Sequence, residues 1–306
     1  QTAMIRLSIL IPTYNDRCLT LVSELARQAE AIDGLQWEIV VADDVSTDQD
    51  VVKENRTINH IVHCHYIFKS VNNGRAAIRN FLVSRACGDW LLLIDGDLIV
   101  ADRQLLRHYV DIIGKADIVC GGYRVMTGPK GNLRYTYEWH ARKLQRADFR
   151  SRHPWENFKV SNTLFRREVL EQHPFDQRFQ KYGYEDVLLG TTLREAGYTI
   201  RHIDAPVGFL RYESNRSFVS KSVEALDTLV DFHDELYAVA PMLRLADRLR
   251  QTLLGRLLRK LYQTCKLNWL NNLVSDKPSL LVFRLYKIGY LLNRLSHAST
   301  SAKHED

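Results

Sequence analysis

The chain has 306 residues, 45% of them hydrophobic and 25% charged, which suits one large or two modest globular domains with a sizeable core. Its five cysteines are scattered and none forms a CxxC pair, which speaks against a disulfide framework and a cysteine zinc site; no run approaches the ~18 apolar residues of a membrane span. The net charge of +6 is uneven: residues 241–306 hold twelve Lys/Arg against four Asp/Glu, leaving residues 1–240 at −2, so the tail rather than the body is expected to meet an acidic surface, and no nucleic-acid partner is expected.

Residues 5–11, IRLSILI, predict a strand that ends at Pro12-Thr13-Tyr14-Asn15. A helix follows, with Val22, Leu25, Ala26, Ala29 and Ile32 at helical spacing and Asp33-Gly34 at its end. A second strand, Trp37 to Ala42, runs into Asp43-Asp44, and Val45–Asp48 leads to another helix. A third strand near His65–Phe68 precedes Asn72-Asn73-Gly74-Arg75 and a helix with Ala77, Ile78, Phe81 and Leu82 on one face. Strands alternating with helices at this spacing predict βαβ units and a mostly parallel α/β sheet. His60, His63 and His65 lie close together, His63 and His65 on one strand face, but with no third metal ligand in pattern they read as solvated strand histidines.

Next comes WLLLIDGDLIV, residues 90–100. A continuous apolar run of this kind predicts a strand buried on both faces. Asp95 and Asp97 stand at its end, where buried charge is costly unless paired or metal-bound. Carboxylates suit a hard divalent cation, Mg²⁺ or Mn²⁺, whose shell substrate phosphates complete. A plain Asp-Gly turn is the competing reading. One rim of the sheet should therefore collect Thr13, Asp44, Asp95 and Asp97, at the edge where open α/β sheets bind ligands. The first strand-to-helix turn, PTYNDR, has no glycines for a Rossmann pyrophosphate, and no GxxxxGK[ST] loop occurs.

Residues 122–160 are irregular and aromatic, with Tyr123, Tyr135, Tyr137, Trp139, His140 and Trp155 suited to sugar faces or to ordinary packing. SNTLFRREVL (161–170) is a further strand-to-helix step. In YGYEDVLLGTTLREAGY (182–198), Glu185 and Asp186 open a helix whose buried stripe is expected at Leu188, Leu189, Thr192, Leu193 and Ala196, with Gly197 as its cap.

In their order, SILIPTYN, EIVVADDVSTD, NNGRAAIRN, DWLLLIDGDLIV, VSNTLFRREVL and YGYEDVLLGTTLREAGY resemble the family 2 inverting glycosyltransferases with the GT-A fold, over roughly residues 5–220. The resemblance implies a catalytic domain over 4–240, with a nucleotide-binding half to about 121 and an acceptor half from 122, followed by a helical extension over 241–306. It implies a nucleotide-sugar donor, by preference a UDP-sugar, held by Pro12, Thr13, Tyr14, Asn15, Asp44, Arg79 and Asp95, with Arg75 a weaker candidate. Asp97, with Asp95, would hold a divalent metal. Asp186 would be the general base, and Glu185 and Asn162 would position a glycan or lipid-linked acceptor. In one departure, Phe209 stands where many relatives carry a histidine. That keeps open a catalytically silent sugar-nucleotide or glycan-binding protein on the same fold; a nucleotidyltransferase, which needs a basic loop after the first strand, fits PTYNDR poorly. No signal-peptide pattern precedes the first strand, so a cytoplasmic location is expected.

In the tail, Leu249, Leu253, Leu254, Leu257, Leu258 and Leu261 are expected to form an apolar face, opposite Arg244, Arg248, Gln251, Gly255 and Arg259. A second apolar stretch follows Pro278. These helices suit peripheral docking on an anionic membrane, at the inner face of the cytoplasmic membrane, or packing on protein, including a homodimer.

Overall fold

The structure is a computed structural model and describes residues 4–209 and 211–301. In chain order the elements are β1 (Ile5–Thr13), α1 (Leu19–Glu30), β2 (Leu35–Asp43), α2 (Gln49–Arg56), β3 (Cys64–Phe68), α3 (Gly74–Arg85), β4 (Trp90–Leu93), β5 (Leu98–Val100), α4 (Leu105–Val110), β6 (Ile118–Cys120) and β7 (Tyr123–Arg124). They continue as α5 (Leu133–Ala141), α6 (Ala147–Arg150), β8 (Thr163–Arg166), α7 (Arg167–Gln172), α8 (Glu185–Glu195), β9 (Ile200–His202), β10 (Val207–Phe209), α9 (Asn215–Asp231), α10 (His233–Tyr237), α11 (Pro241–Arg250), α12 (Leu253–Val274) and α13 (Leu280–Ser301). The chain forms two compact units: residues 4–126, 141–180 and 185–209 with Arg211 make the first, and residues 127–140, 181–184 and 212–301 the second.

The first unit is built on a seven-stranded sheet in the order β3-β2-β1-β4-β8-β6-β9. Only β8 runs antiparallel, to both its neighbours β4 and β6. Alternation along β1 feeds both faces, as a strand without a solvent side must. Leu7, Ile9 and Ile11 pack with Leu21, Val22 and Leu25 of α1 and Tyr109 of α4. Leu10 points the other way, into Leu82 and Val83 of α3, Phe165 of β8 and Leu189 and Leu193 of α8. A second sheet, β5-β10-β7, is short.

Four expectations change here. The apolar run at 90–100 is two strands, not one: β4 ends at Leu93, the chain turns through Asp95-Gly96-Asp97, and β5 joins the other sheet. On α3 the buried residues are Ala76, Ile78, Arg79, Leu82 and Val83 rather than Ala77 and Phe81. On α8 they are Glu185, Leu189, Gly190 and Leu193, while Thr192 and Ala196 are exposed. Both rotations have one cause: Arg79 and Glu185 turn inward to pair with each other, and each takes its helix with it. Gly190 permits this rotation, since a Cβ there would lie 2.7 Å from the Phe158 ring. His63 is not in a strand; it adopts φ 61° ahead of β3 and meets Trp37 edge-on, while His65 is exposed.

The second unit is helical, with Leu133, Val219, Tyr262, Leu273, Phe283 and Tyr286 as its core. The tail helices thus share their core with α5 and α9. Asn215 ties the unit together: its amide donates to the Gly131 and Ser275 carbonyls, both at 2.9 Å, and its Oδ1 accepts from Leu133 N at 2.7 Å. Asp227 of α9 accepts from Tyr290 Oη at 2.8 Å and Arg294 Nε at 2.7 Å on α13. Where α12 crosses α13, a Cβ on Gly289 would lie 2.6 Å from Tyr262 Cβ. Gly289→Val is therefore expected to destabilise the protein by about 1–3 kcal/mol through overpacking. Denaturant melts would check this, and an unchanged midpoint would show that the crossing tolerates a larger residue.

Candidate active site

The ends of β1, β2 and β4 lie side by side, so their terminal polar residues share one rim. The turn after β4 extends the ladder to β1: Ile94 N donates to Leu10 O at 3.0 Å and Gly96 N to Pro12 O at 3.1 Å. Leu98 N closes the turn on Asp95 O at 3.2 Å. Only glycine fits at its centre, because a Cβ on Gly96 would lie 2.9 Å from Cys18 Sγ and 3.1 Å from Pro12 O. Burial pushes the Cys18 thiol up to about 12, so it is a neutral packing atom. The turn leaves the Asp95 and Asp97 carboxylates half-buried.

Beneath the turn lies Arg79. Its guanidinium donates to Asp95 Oδ1 at 3.1 Å and to Glu185 Oε1 at 3.0 Å. It stacks 5.5 Å from the centre of the Phe175 ring, and its Nε has no hydrogen-bond partner among the described residues. Burial opposes this charge, but Asp95 and Glu185 outweigh it and hold Arg79 protonated. The residue expected to contact the nucleotide is thus enclosed and committed to two carboxylates. It couples the DGD turn to the start of α8.

Asp186 follows Glu185 directly. Burial, then the Glu185 charge, raises its carboxyl to about 6, against the pull of Arg79 and Lys159. Tyr123 marks where the acidic groups converge. Burial first, then the charges of Asp95, Asp97 and Asp186, hold its phenol protonated far above the usual range. Its hydroxyl bonds Ser161 Oγ, its ring stacks on Phe209 at 5.6 Å, and Lys159 Nζ lies 5.2 Å from its centre. Phe209 pairs with Leu98 across β10 and β5, one residue beyond Asp97.

The other expected nucleotide residues gather around the ends of β1 and β2. Asp44 is buried: its Oδ1 accepts from Lys69 Nζ at 2.8 Å and its Oδ2 from Gly74 N at 3.1 Å. Thr13 is buried beside it, its carbonyl accepting from Asp44 N at 2.9 Å. Asn15, at φ 60°, uses Oδ1 to accept from Thr47 N and Asp48 N, both at 2.9 Å, and so organises the 45–48 loop. Pro12 is half-buried within β1 and Tyr14 is exposed. Arg75 is also exposed.

Asn162 departs from its expected part. It has 0% exposure; its amide donates to Gly122 O at 2.9 Å and Ala205 O at 2.8 Å, and its Oδ1 accepts from Tyr109 Oη at 2.9 Å. Every polar atom is engaged, so it cannot touch an acceptor; it fixes the loops after β6 and β9. Arg150 does related work nearby, donating to the Cys120, Gly121 and Ile203 carbonyls and, at 2.6 Å, to His202 Nδ1. Burial, and Arg150 with it, lowers His202 to about 4, so its ring is neutral. Sequence reasoning missed Lys159 and Arg150 entirely, and saw Tyr123 only as one aromatic among several. The available signal was Gly121-Gly122 at a strand end: a Cβ on Gly121 would lie 2.3 Å from Tyr109 Oη.

Among the described residues no three His, Cys, Asp or Glu side chains converge as a metal cluster. Asp95 and Asp97 nonetheless fit Mg²⁺ or Mn²⁺ as a pair of hard oxygen donors that leaves room for substrate phosphates.

A polar rim at the ends of parallel strands is where open α/β sheets take their ligands. The profile of the family described as Glycosyl transferase family 2 matches residues 8–173, more than half of the chain, and the chain belongs to that family. A protein of Haemophilus influenzae described as an uncharacterized glycosyltransferase is 25% identical over 180 residues, 59% of this chain and 68% of its own length. Among solved structures, the mannosyltransferase PcManGT of Pyrobaculum calidifontis, in complex with GDP-Man and Mn²⁺, superposes with a TM-score of 0.55 at 16% identity, covering 96% of this chain and 87% of that one. S. aureus TarS 1-349 in complex with UDP gives 0.52 at 15% identity, covering 96% and 92%. These likenesses show the GT-A fold, a mixed α/β architecture with a mostly parallel sheet.

A carboxyl at about 6 that must be ionised to accept a proton predicts transfer that rises with pH and levels off above about 6. Lys159→Met removes a charge that lowers this value, and is expected to move the acid limb of the kcat/KM profile to higher pH. An unmoved limb would mean that another group titrates. Stability follows the same shift: raised in the fold, Asp186 favours the native state below its unfolded value near 4, and this is lost as pH rises through about 6. Asp186→Asn should accordingly raise the melting temperature at pH 8 relative to wild type.

Proposed function

We propose that the chain transfers a sugar from a nucleotide-sugar donor, by preference a UDP-sugar, to a hydroxyl of a glycan or lipid-linked acceptor, inverting the anomeric centre. The observation that carries this is the Asp95–Arg79–Glu185 chain of ion pairs, which ends beside Asp186 and its raised carboxyl. A donor end and a base end are coupled through one rigid cation.

In this reading Asp186 takes the proton of the attacking hydroxyl, and Glu185 orients that hydroxyl while staying paired with Arg79. Asn162 acts through its loop rather than by contact. Asp44 accepts the N3–H of a uracil. Lys69 and Gly74 occupy one lone pair on each of its oxygens, and a carboxylate oxygen carries two. Thr13, Tyr14 and Asn15, with Pro12 setting the strand end, frame the base, and Asp95 lies towards the ribose. A divalent ion held by Asp97 and Asp95 would neutralise the charge that builds on the leaving diphosphate. Support for the ion comes from the neighbour crystallised with Mn²⁺, and for uridine from the neighbour crystallised with UDP. The nucleotide-binding half is read as residues 4–121 and the acceptor half as 122–240. The place of action is read as the cytoplasmic side of a membrane.

Phe209 favours a second reading, a silent binding protein, because an apolar ring stands where many relatives carry a histidine. Calorimetry with UDP separates the roles: affinity is expected to rise with Mn²⁺, and Asp97→Ala to abolish that gain with the fold intact. Equal affinity with and without Mn²⁺ would remove the metal from the scheme. Asp186→Asn is expected to keep donor binding and lose about 10²–10⁴-fold in turnover. Near-normal turnover by this variant would move the base elsewhere, and no turnover by wild type across a panel of sugar nucleotides would favour the silent reading.

A further inference from the structure

The leucines of the tail face outward. Gly255, Tyr262 and Leu273 form the buried side of α12, and Leu253, Leu254, Leu257 and Leu261 stand on the opposite side, 77%, 55%, 63% and 40% exposed. Leucines and Gly255 lie on opposite sides as expected, but it is the Gly255 side that packs on the protein and the leucine side that is exposed. The reason is local. α11 ends at Arg250, and Thr252 caps a new helix, its hydroxyl accepting from Gly255 N at 3.1 Å. The turn between the helices is so close that a Cβ on Gly255 would lie 1.9 Å from Leu249 O. Gly255 must therefore face inward, and the leucines must face out.

We infer that this ridge is a docking surface for an anionic lipid bilayer. Three features select that occupant. Residues 253–274 carry four Lys/Arg and no Asp/Glu, and Arg256 and Lys260 are exposed beside the leucines. A second copy of the helix would bring the same uncompensated positive charge, whereas anionic headgroups would answer it. The apolar surface is also interrupted: past Leu261 the same side of the helix shows the exposed polar residues Thr264, Asn268 and Asn271 around a single exposed leucine, Leu267. A helix-pairing seam needs apolar positions sustained over several heptads. Shallow insertion at the headgroup boundary needs only a compact apolar patch rimmed by basic side chains. No described helix is long and apolar enough to cross a membrane, so the ridge would hold the protein on the surface. This deepens the reading above by naming where a lipid-linked acceptor is met.

The test uses the full chain and sedimentation with vesicles of phosphatidylglycerol and phosphatidylcholine, against phosphatidylcholine alone. Binding is expected with the anionic vesicles, weakened by salt. The double variant Leu253→Ser/Leu257→Ser is expected to lose at least about tenfold in partitioning, and Arg256→Gln/Lys260→Gln to lose the salt dependence. Both should keep wild-type UDP affinity, so a failure of docking is distinguishable from a failure of the catalytic reading. The inference is overturned if the wild-type chain stays in the supernatant at low salt, or if the leucine variant binds vesicles as wild type does. It is equally overturned if sedimentation velocity shows a wild-type dimer that the leucine variant converts to a monomer.

Discussion

The active rim depends on one buried cation. Arg79 leaves α3 on the face that packs against the sheet, where a charge is expensive unless carboxylates meet it. Asp95 and Glu185 meet it, and in doing so fix two segments far apart in sequence, the DGD turn and the first turn of α8. Remove the guanidinium and the buried Glu185 carboxylate would be left unpaired near the half-buried Asp95, an arrangement that favours uptake of a proton. The geometry of the site and the fold of this half of the unit are therefore the same fact. The inward rotation of α3 and α8, the small Gly190 and the Phe175 ring over the guanidinium all follow from enclosing that group.

The rim is also held from behind by polar groups that never reach a ligand. Asp43 accepts from Tyr66 Oη and from Ser46 N, both at 2.6 Å. Asn162 and Arg150 satisfy the carbonyls of the loops that follow β6 and β9, and Tyr109 holds Asn162 in place. Strand ends leave backbone groups without ladder partners, and buried ones must be paired. Side chains supply those partners here, so loops that must stay open to substrate can still be rigid.

The elements of the sheet were legible because a strand covered on both faces and an amphipathic helix each write their period into the sequence. The shared rim followed from topology, since parallel strands bring Thr13, Asp44, Asp95 and Asp97 to one edge. Helix faces were less legible wherever a charged residue points inward. Periodicity treats Arg79 and Glu185 as surface groups, and nothing local announces that they pair across 106 positions. Asn162 failed for a related reason: its type and place suggest a ligand contact, but φ 62° and two waiting carbonyls turn its amide inward. On α12 the leucine face opposite Gly255 was legible, but not whether it is packed or exposed, because the break at Gln251–Thr252 that turns Gly255 inward carries no periodic signal.

Electrostatics sets the state of the carboxylates at the site. Asp95 and Glu185 answer to the buried Arg79 guanidinium, and Asp186 feels that charge together with the exposed Lys159 ammonium. The enclosure that makes Arg79 so firmly paired also makes the remaining negative charge hard to hold. At Asp186 the surplus is relieved by protonation near pH 6, which is where a base of moderate strength is useful. At the DGD turn Tyr123 and Phe209 stack their rings, and the Asp95 and Asp97 carboxylates stay half-buried, reachable by solvent counterions. Phe209 brings an apolar ring to this end of the site and leaves both carboxylates of the turn in place.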